Sequence, residues 1–416
     1  MKKTEVITAF FMFIVWCIFL RVSGFIEVQK ISENEIVGWV LLALLMLLLF
    51  YGAKKAPAGD YTKEMFCLKK SKAFQGFLAV CVILHHMYIV LSSKLGYKGV
   101  LSIFENSGVI IVGFFFFASG YGLITSLYQK ENYLKGFIKK RVFTVLVPFF
   151  ICNYAYMVTM LLMGRKYAMS DLLYAFIGVK LLNSQMWFAV EIMFLYFLFY
   201  FIFRFIKREK MAYTIMGVCI VAMMAGSLLL GHDLTTDEIA NWFRGEWWYN
   251  TTFVFFMGLL AARFKEKLLP WIKKRYYLCL SMLLVLSSFF GFMSKRLLEE
   301  KGYWIENMFY KGYAEKIETL AFQLPMVVCS VAVILLLMMK ITFYNKVLDF
   351  LGRLSLEVIL INNVFIIVLL KLAVVNEALY IIAVFVATIL AAMAIYKIKL
   401  WVLDKKDYWG RKYYNK

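Results

Sequence analysis

Two adjacent histidines, His85 and His86, close the last third of an otherwise apolar stretch running from Ser71 to Val90, SKAFQGFLAVCVILHHMYIV. The chain has three histidines, the third being His232. A full charge inside a bilayer span costs about 2.5–3.5 kcal/mol on insertion scales, so an ionisable side chain there is by default a functional candidate, as a base or a proton relay. The structural alternative is a neutral imidazole hydrogen-bonded to a neighbouring helix. A second candidate is Glu191, five residues after Met186 in another apolar run. A carboxylate beside an imidazole fixes its tautomer and raises its basicity, which suits a general base that takes a proton from a hydroxyl. The competing reading of Glu191 is a protonated residue, or one capped by Trp187, at the membrane interface.

The elements that would hold these groups are membrane helices. Of the 416 residues 63% are hydrophobic and 18% aromatic, mean hydropathy is +0.75, and there are only four prolines. Apolar runs of membrane-spanning length recur throughout, whereas a barrel would show about ten-residue alternating segments. The expectation is an all-α, polytopic helical bundle. It has twelve spans, near 6–22, 36–53, 73–93, 107–128, 142–163, 186–206, 211–230, 249–262, 276–294, 319–339, 356–373 and 378–396. The net charge of +21 invites a nucleic-acid partner until the positives are located. With the N-terminus inside, 33 of the 47 Lys and Arg fall on inner segments, and 15 of the 26 acids fall outside. That bias places both termini in the cytoplasm and assigns the charge to topology, with a lipid bilayer and no nucleic acid as partner.

In this frame His86 lies about 20 Å from the inner end of its helix and Glu191 about 8 Å below its outer end, so the two could share one level. Residues 1–70 read as a transmembrane hairpin and a basic linker, 71–401 as the functional membrane domain, and 402–416 as a basic cytoplasmic tail. The fourth span carries Gly108, Gly113, Gly120, Gly122 and Ser119, small residues that permit close helix packing or leave room for a ligand. Lys135, Lys139, Lys140 and Arg141 gather before Pro148 at the inner mouth. Ordinary inside-positive flanking accounts for most of them, and an anionic cytosolic cofactor would be drawn there too. On the outer side Trp242, Trp247 and Trp248 form either an aromatic belt or a stacking surface for sugar rings. His232 and Asp233 are too sparse a set for a metal site, and none is expected. The seven cysteines show no CxxC spacing and read as small core residues.

Six segments in order carry a resemblance: QGFLAVCVILHH, GFFFFASGYGL, FIKKRVFTVLVPFF, MWFAVEIMFLYFLFY, FVFFMGLLAARF and LGRLSLEVILIN. Together they resemble the acyltransferase 3 family of integral membrane acyltransferases, over about Ser71 to Trp401. The resemblance implies that His86, or its neighbour His85, is catalytic. Family members carry an Arg eleven residues before that His, where this chain has Gln75, with Lys72 one turn earlier. Arg141, beside Lys140, matches the first of a cytoplasmic Arg pair whose second position is Thr144 here. In the late segment Leu356, Ile359 and Asn362 stand where the family has Tyr, Tyr and His, while Gly352 and Ser355 are kept. The implied activity is transfer of an acyl group, usually acetyl, from acyl-CoA as a donor substrate with no permanently bound cofactor. The implied acceptor is a hydroxyl of an envelope glycan or glycolipid, in a bacterial cytoplasmic membrane. Gln75, Lys72, Arg141 and Lys140 would serve the donor, and Ser119, Trp187, Trp247 and Trp248 the acceptor. The runner-up is a carrier of an envelope sugar or lipid with His86 and Glu191 as a relay, against which stands the lack of visible internal repeats.

Overall fold

The structure, a computed structural model, describes residues 34–57, 59–62, 68–230, 240–241, 245, 247–301, 313–370 and 376–414, besides residues 14 and 18. The first proposed span, residues 14 and 18 apart, and His232, Asp233 and Trp242 lie outside the described residues. The helices in chain order are α1 (Glu35–Phe50), α2 (Leu68–Leu95), α3 (Ser107–Gln129), α4 (Phe137–Leu162), α5 (Met169–Phe176), α6 (Trp187–Phe205) and α7 (Glu209–Leu230). They continue with α8 (Trp247–Asn250), α9 (Thr252–Arg263), α10 (Lys265–Lys274), α11 (Tyr276–Lys301), α12 (Tyr313–Lys340), α13 (Lys346–Arg353), α14 (Ser355–Leu370) and α15 (Glu377–Tyr414). Two antiparallel ribbons of two residues per strand join distant segments. β1 (Lys54–Lys55) pairs with β4 (Ile341–Thr342), and β2 (Lys180–Leu181) pairs with β3 (Ala240–Asn241).

Among the described residues, eight helices are long and apolar enough to cross a membrane, or nine if the bent pair α13–α14 counts as one span. The expected count of twelve is not confirmed on the described residues. The proposed span at 249–262 is the 12-residue helix α9, about 18 Å long and too short to cross a hydrocarbon core of about 30 Å alone. Thr251 breaks the run before it and a charged helix, α10, follows it. The α1 helix, at 16 residues, is also short of the usual length. The region read as an inner loop at 340–353 instead holds α13, which turns into α14 through a 76° bend at Leu354.

Burial ranks these helices. In α2, 78% of the apolar window is buried inside the protein, against 6% in α11, so α2 is central and α11 peripheral. Residues such as Leu278, Val285 and Phe292 on α11 are exposed, as expected of a lipid-facing helix. The α2 helix packs against α3, α13 and α14, and α3 packs most extensively against α9.

Two of those contacts depend on glycine pairs. A Cβ on Gly76 would collide with the Leu348 carbonyl of α13, and one on Gly352 with the Lys72 carbonyl of α2. Between α3 and α9 the same reciprocity holds, Gly120 facing the Phe255 carbonyl and Gly258 facing that of Phe117. Backbones approach closely only where neither helix carries a side chain. The glycine row of α3 is thus mainly a packing device. Gly258→Val should destabilise the protein by about 1–3 kcal/mol through overpacking, read as a lower unfolding midpoint in detergent. Gly122→Ala should be tolerated, because a Cβ there meets nothing within 4 Å.

Polar side chains fasten the ends. Asn345 caps α13 by accepting from the Leu348 N–H (2.8 Å), and its amide donates to the carbonyls of Leu48 (2.8 Å) and Tyr51 (3.1 Å) at the end of α1. At the other end of α1, the buried Glu377 accepts from the Asn34 N–H (2.9 Å) and from the Tyr97 hydroxyl. The α1 helix is thereby tied at both ends to α13 and α15, although its outward face, with Ile36, Trp39 and Leu47, is exposed.

Candidate active site

His86 lies on α2, 7% exposed, and its Nδ1 sits 2.9 Å from Oδ1 of Asn362 on α14. The amide nitrogen of Asn362 donates to the carbonyls of Val358 (3.1 Å) and Ile359 (3.0 Å) in its own helix. Those two bonds fix which end of the amide faces the histidine. The oxygen toward His86 can only accept, so the proton of a neutral His86 sits on Nδ1 and the lone pair is left on Nε2. An asparagine at this position therefore orients an imidazole without competing for its proton. Replacing Asn362 by leucine removes that orientation and one hydrogen bond of about 1–3 kcal/mol, so any reaction that uses Nε2 as base should slow about tenfold to hundredfold. The readout is the turnover of that reaction, and Asn362→Gln should restore part of it.

His85 has a different environment. Its Nδ1 donates to the Phe104 carbonyl at 2.8 Å, and its other ring nitrogen lies where a Cβ on Gly108 would fall. The ring is packed against the backbone of α3 and against the 3-10 turn Val100–Phe104. The two rings lie 5.6 Å apart between centroids. Neighbours on a helix point about 100° apart, so two adjacent imidazoles reach different surroundings.

Glu191 does not sit beside His86. It is fully buried on α6 and accepts from the hydroxyl of Thr252 on α9, while that hydroxyl also lies 2.8 Å from the Trp248 carbonyl. Its second oxygen has no partner among the described residues. The shared level expected from span ends does not make the two residues neighbours, because α6 packs chiefly on α4 and α7 while α2 packs on α3, α13 and α14. The partner of His86 is Asn362, a position that reads from sequence as a lost histidine. The usable signal was chemical: a carboxamide oxygen accepts from an imidazole N–H much as a second imidazole nitrogen does.

At one end of the bundle, charged groups of α2, α4, α13, α14 and α15 converge. Lys72 is within electrostatic reach of Lys399, Glu357, Arg141 and Asp349. Lys399 and Glu357 form an ion pair buried in the bundle, with side chains 8% and 0% exposed. The Arg141 Nε donates to the Tyr133 hydroxyl at 3.0 Å. Lys140 is exposed and Gln75 half-buried, the latter between Lys72 and His86 on α2. The cluster holds three cations against the buried Glu357 and Asp349, and Asp349 already bonds Arg353 at 2.6 Å. Sequence reading found Lys72 and Arg141 and missed Lys399, which it placed at the edge of an ordinary basic tail.

The residues expected at an acceptor site are dispersed. The Ser119 hydroxyl lies 2.9 Å from that of Tyr196, joining α3 to α6. Trp187 packs beside Phe116 and Phe188, at 6.4 and 6.3 Å between ring centroids. Trp248 is 5% exposed and edge-on to Phe194 at 5.8 Å, so it fills the bundle instead of offering a free face to a sugar ring. Of Trp247 only the helical backbone is described. No group of three or more His, Cys, Asp or Glu that could hold a metal ion occurs among the described residues.

The family model described as an acyltransferase domain matches residues 71–397, more than three quarters of the chain. No curated protein matches the chain. No solved structure matches it either.

Proposed function

The chain belongs to the acyltransferase 3 family, its acyltransferase domain running over residues 71–397, and from that premise we propose that it moves an acyl group, foremost acetyl, from acyl-CoA to a hydroxyl of an envelope glycan or glycolipid. The observation that carries the reading is the bond from His86 Nδ1 to Asn362 Oδ1, which leaves Nε2 as the basic atom of a histidine buried in the bundle. His85 already uses its Nδ1 on the Phe104 carbonyl and is packed on Gly108, which favours His86 as the base.

In the proposed reaction Nε2 of His86 takes the proton of the acceptor hydroxyl as its oxygen attacks the thioester carbonyl. The carbon–sulfur bond then breaks, the CoA thiolate leaves, and the imidazolium returns the proton to it. Lys72, Arg141 and Lys399 supply the excess positive charge that donor phosphates need at the inner mouth. They compensate in kind for the arginines replaced by Gln75 and Thr144. The acceptor would approach the same histidine from the outer side of a bacterial cytoplasmic membrane.

The test is release of CoA from labelled acetyl-CoA by purified protein in detergent, with label followed into the total lipid and glycan fraction of the host envelope. Release that depends on His86 and label that enters an ester sustain the proposal. If the wild-type protein neither binds nor cleaves acetyl-CoA above background, the transferase reading fails.

A further inference from the structure

A pair of buried asparagines, one of them the residue after Asn362, has unused hydrogen-bonding capacity. Asn183 precedes the 3-10 turn Ser184–Met186 that opens α6, and Asn363 follows Asn362 on α14. The turn packs against α14. Asn183 is 1% exposed and Asn363 6% exposed.

The orientation of both amides is fixed by one backbone donor. Asn183 Oδ1 accepts from the Gln185 N–H at 3.2 Å, so that atom must be the oxygen. The same oxygen lies 2.9 Å from the Asn363 amide, and only the nitrogen of Asn363 can donate to it. Two atoms are then left over. Asn183 Nδ2, a donor, and Asn363 Oδ1, an acceptor, have no partner among the described residues. Buried polar atoms are nearly always satisfied, so an orphan asks for an explanation. Asn153 and Asn250 each leave a lone acceptor oxygen. Asn183 and Asn363 are two amides bonded to each other that leave one donor and one acceptor together.

From this arrangement we infer that Asn183 and Asn363 form a hydroxyl clamp for the acceptor, with Asn183 Nδ2 donating to a hydroxyl oxygen and Asn363 Oδ1 accepting a hydroxyl proton. A hydroxyl is the functional group that both donates and accepts through one oxygen, and neighbouring hydroxyls on a sugar ring do so in series. A thioester carbonyl or a phosphate oxygen only accepts, so the pair does not suit those two groups of the donor. Asn363 is the residue after the partner of His86, so the pair shares α14 with that partner. The clamp therefore rests on the acyltransferase reading for its role, though not for its binding chemistry. Its function would be to select polyhydroxylated acceptors by holding a hydroxyl other than the one that reacts, because a proton engaged by Asn363 Oδ1 is not available to Nε2 of His86.

The experiment uses the full chain in a sugar-free amine-oxide detergent, titrated with methyl α-D-glucopyranoside while the unfolding midpoint is followed. The expected result is a saturable upward shift in the wild type. The fully O-methylated glucoside, which cannot donate, should give none. Asn363→Leu and Asn183→Ala should raise the half-saturating concentration at least tenfold. No saturable shift in the wild type would assign the two atoms to ordered water and overturn the clamp. An equal shift with the methylated sugar, or unchanged half-saturation in both variants, would overturn it as well. Should the variants lose their monodisperse elution, hydrogen exchange on the wild type decides: the glucoside should slow exchange in peptides covering Asn183 and Asn363, and unchanged exchange there sinks the proposal. None of these readouts involves acyl-CoA. Glucoside binding without CoA release would end the transferase reading and leave the clamp, and CoA release without glucoside binding would do the reverse.

Discussion

His86→Ala should lower CoA release by about 10²- to 10⁴-fold, the range expected for loss of a general base. His85→Ala should retain most of the rate while lowering the unfolding midpoint. The contrast follows from what each ring touches. His85 ties α2 to the Phe104 carbonyl and fills the space beside Gly108, so its loss opens a gap and orphans a carbonyl. His86 bonds a single side chain, Asn362, that is itself anchored to the carbonyls of Val358 and Ile359. The double variant His86→Ala/Asn362→Leu should be no slower than His86→Ala alone, because Asn362 acts through the imidazole. A double variant slower by a further factor of ten or more would mean that Asn362 touches the substrate directly.

The second large effect concerns the charged end of the bundle, around Lys399 and Glu357. Lys399→Met should cost about 3–5 kcal/mol of stability, because it strands the carboxylate of Glu357 in the protein interior. The Lys399 ammonium is bonded to one Glu357 oxygen, and the other oxygen has no partner among the described residues. Glu357→Leu combined with Lys399→Met should recover most of the loss, since a buried pair is often replaced by apolar side chains at little net cost. Thermal unfolding of the single and double variants in detergent separates the cases. Equal destabilisation in the double variant would show that the pair holds more than itself, with Lys72 and Arg141 the first neighbours to test.

Much of this was legible in the chain itself. The length and apolarity of runs such as Ser71–Val90 require helices in a bilayer, since a backbone in lipid must satisfy its own hydrogen bonds. The six ordered segments were enough to indicate the family, which the match over 71–397 bears out. Span counting was weaker. An apolar run such as 249–262 looks alike whether it crosses the membrane or forms the short helix α9, because hydropathy reports the medium around a segment and not its length after a break at Thr251.

Composition, the histidine doublet and the spacing of the family segments are local quantities, so the sequence by itself determined an all-α membrane bundle, an acyltransferase 3 domain and the residue pair from which a base would be drawn. Which groups meet was decided by helix packing alone. The reciprocal glycines bring α13 onto α2, the 76° bend at Leu354 turns α14 inward, and Asn362 then reaches His86 across 276 residues of chain. By the same packing Glu191 goes to Thr252 and Lys399 to Glu357. Depth in a membrane can be counted along one helix, but neighbourhood depends on how the helices rotate and cross. Those angles are set by the steric fit of whole surfaces that lie far apart in the chain.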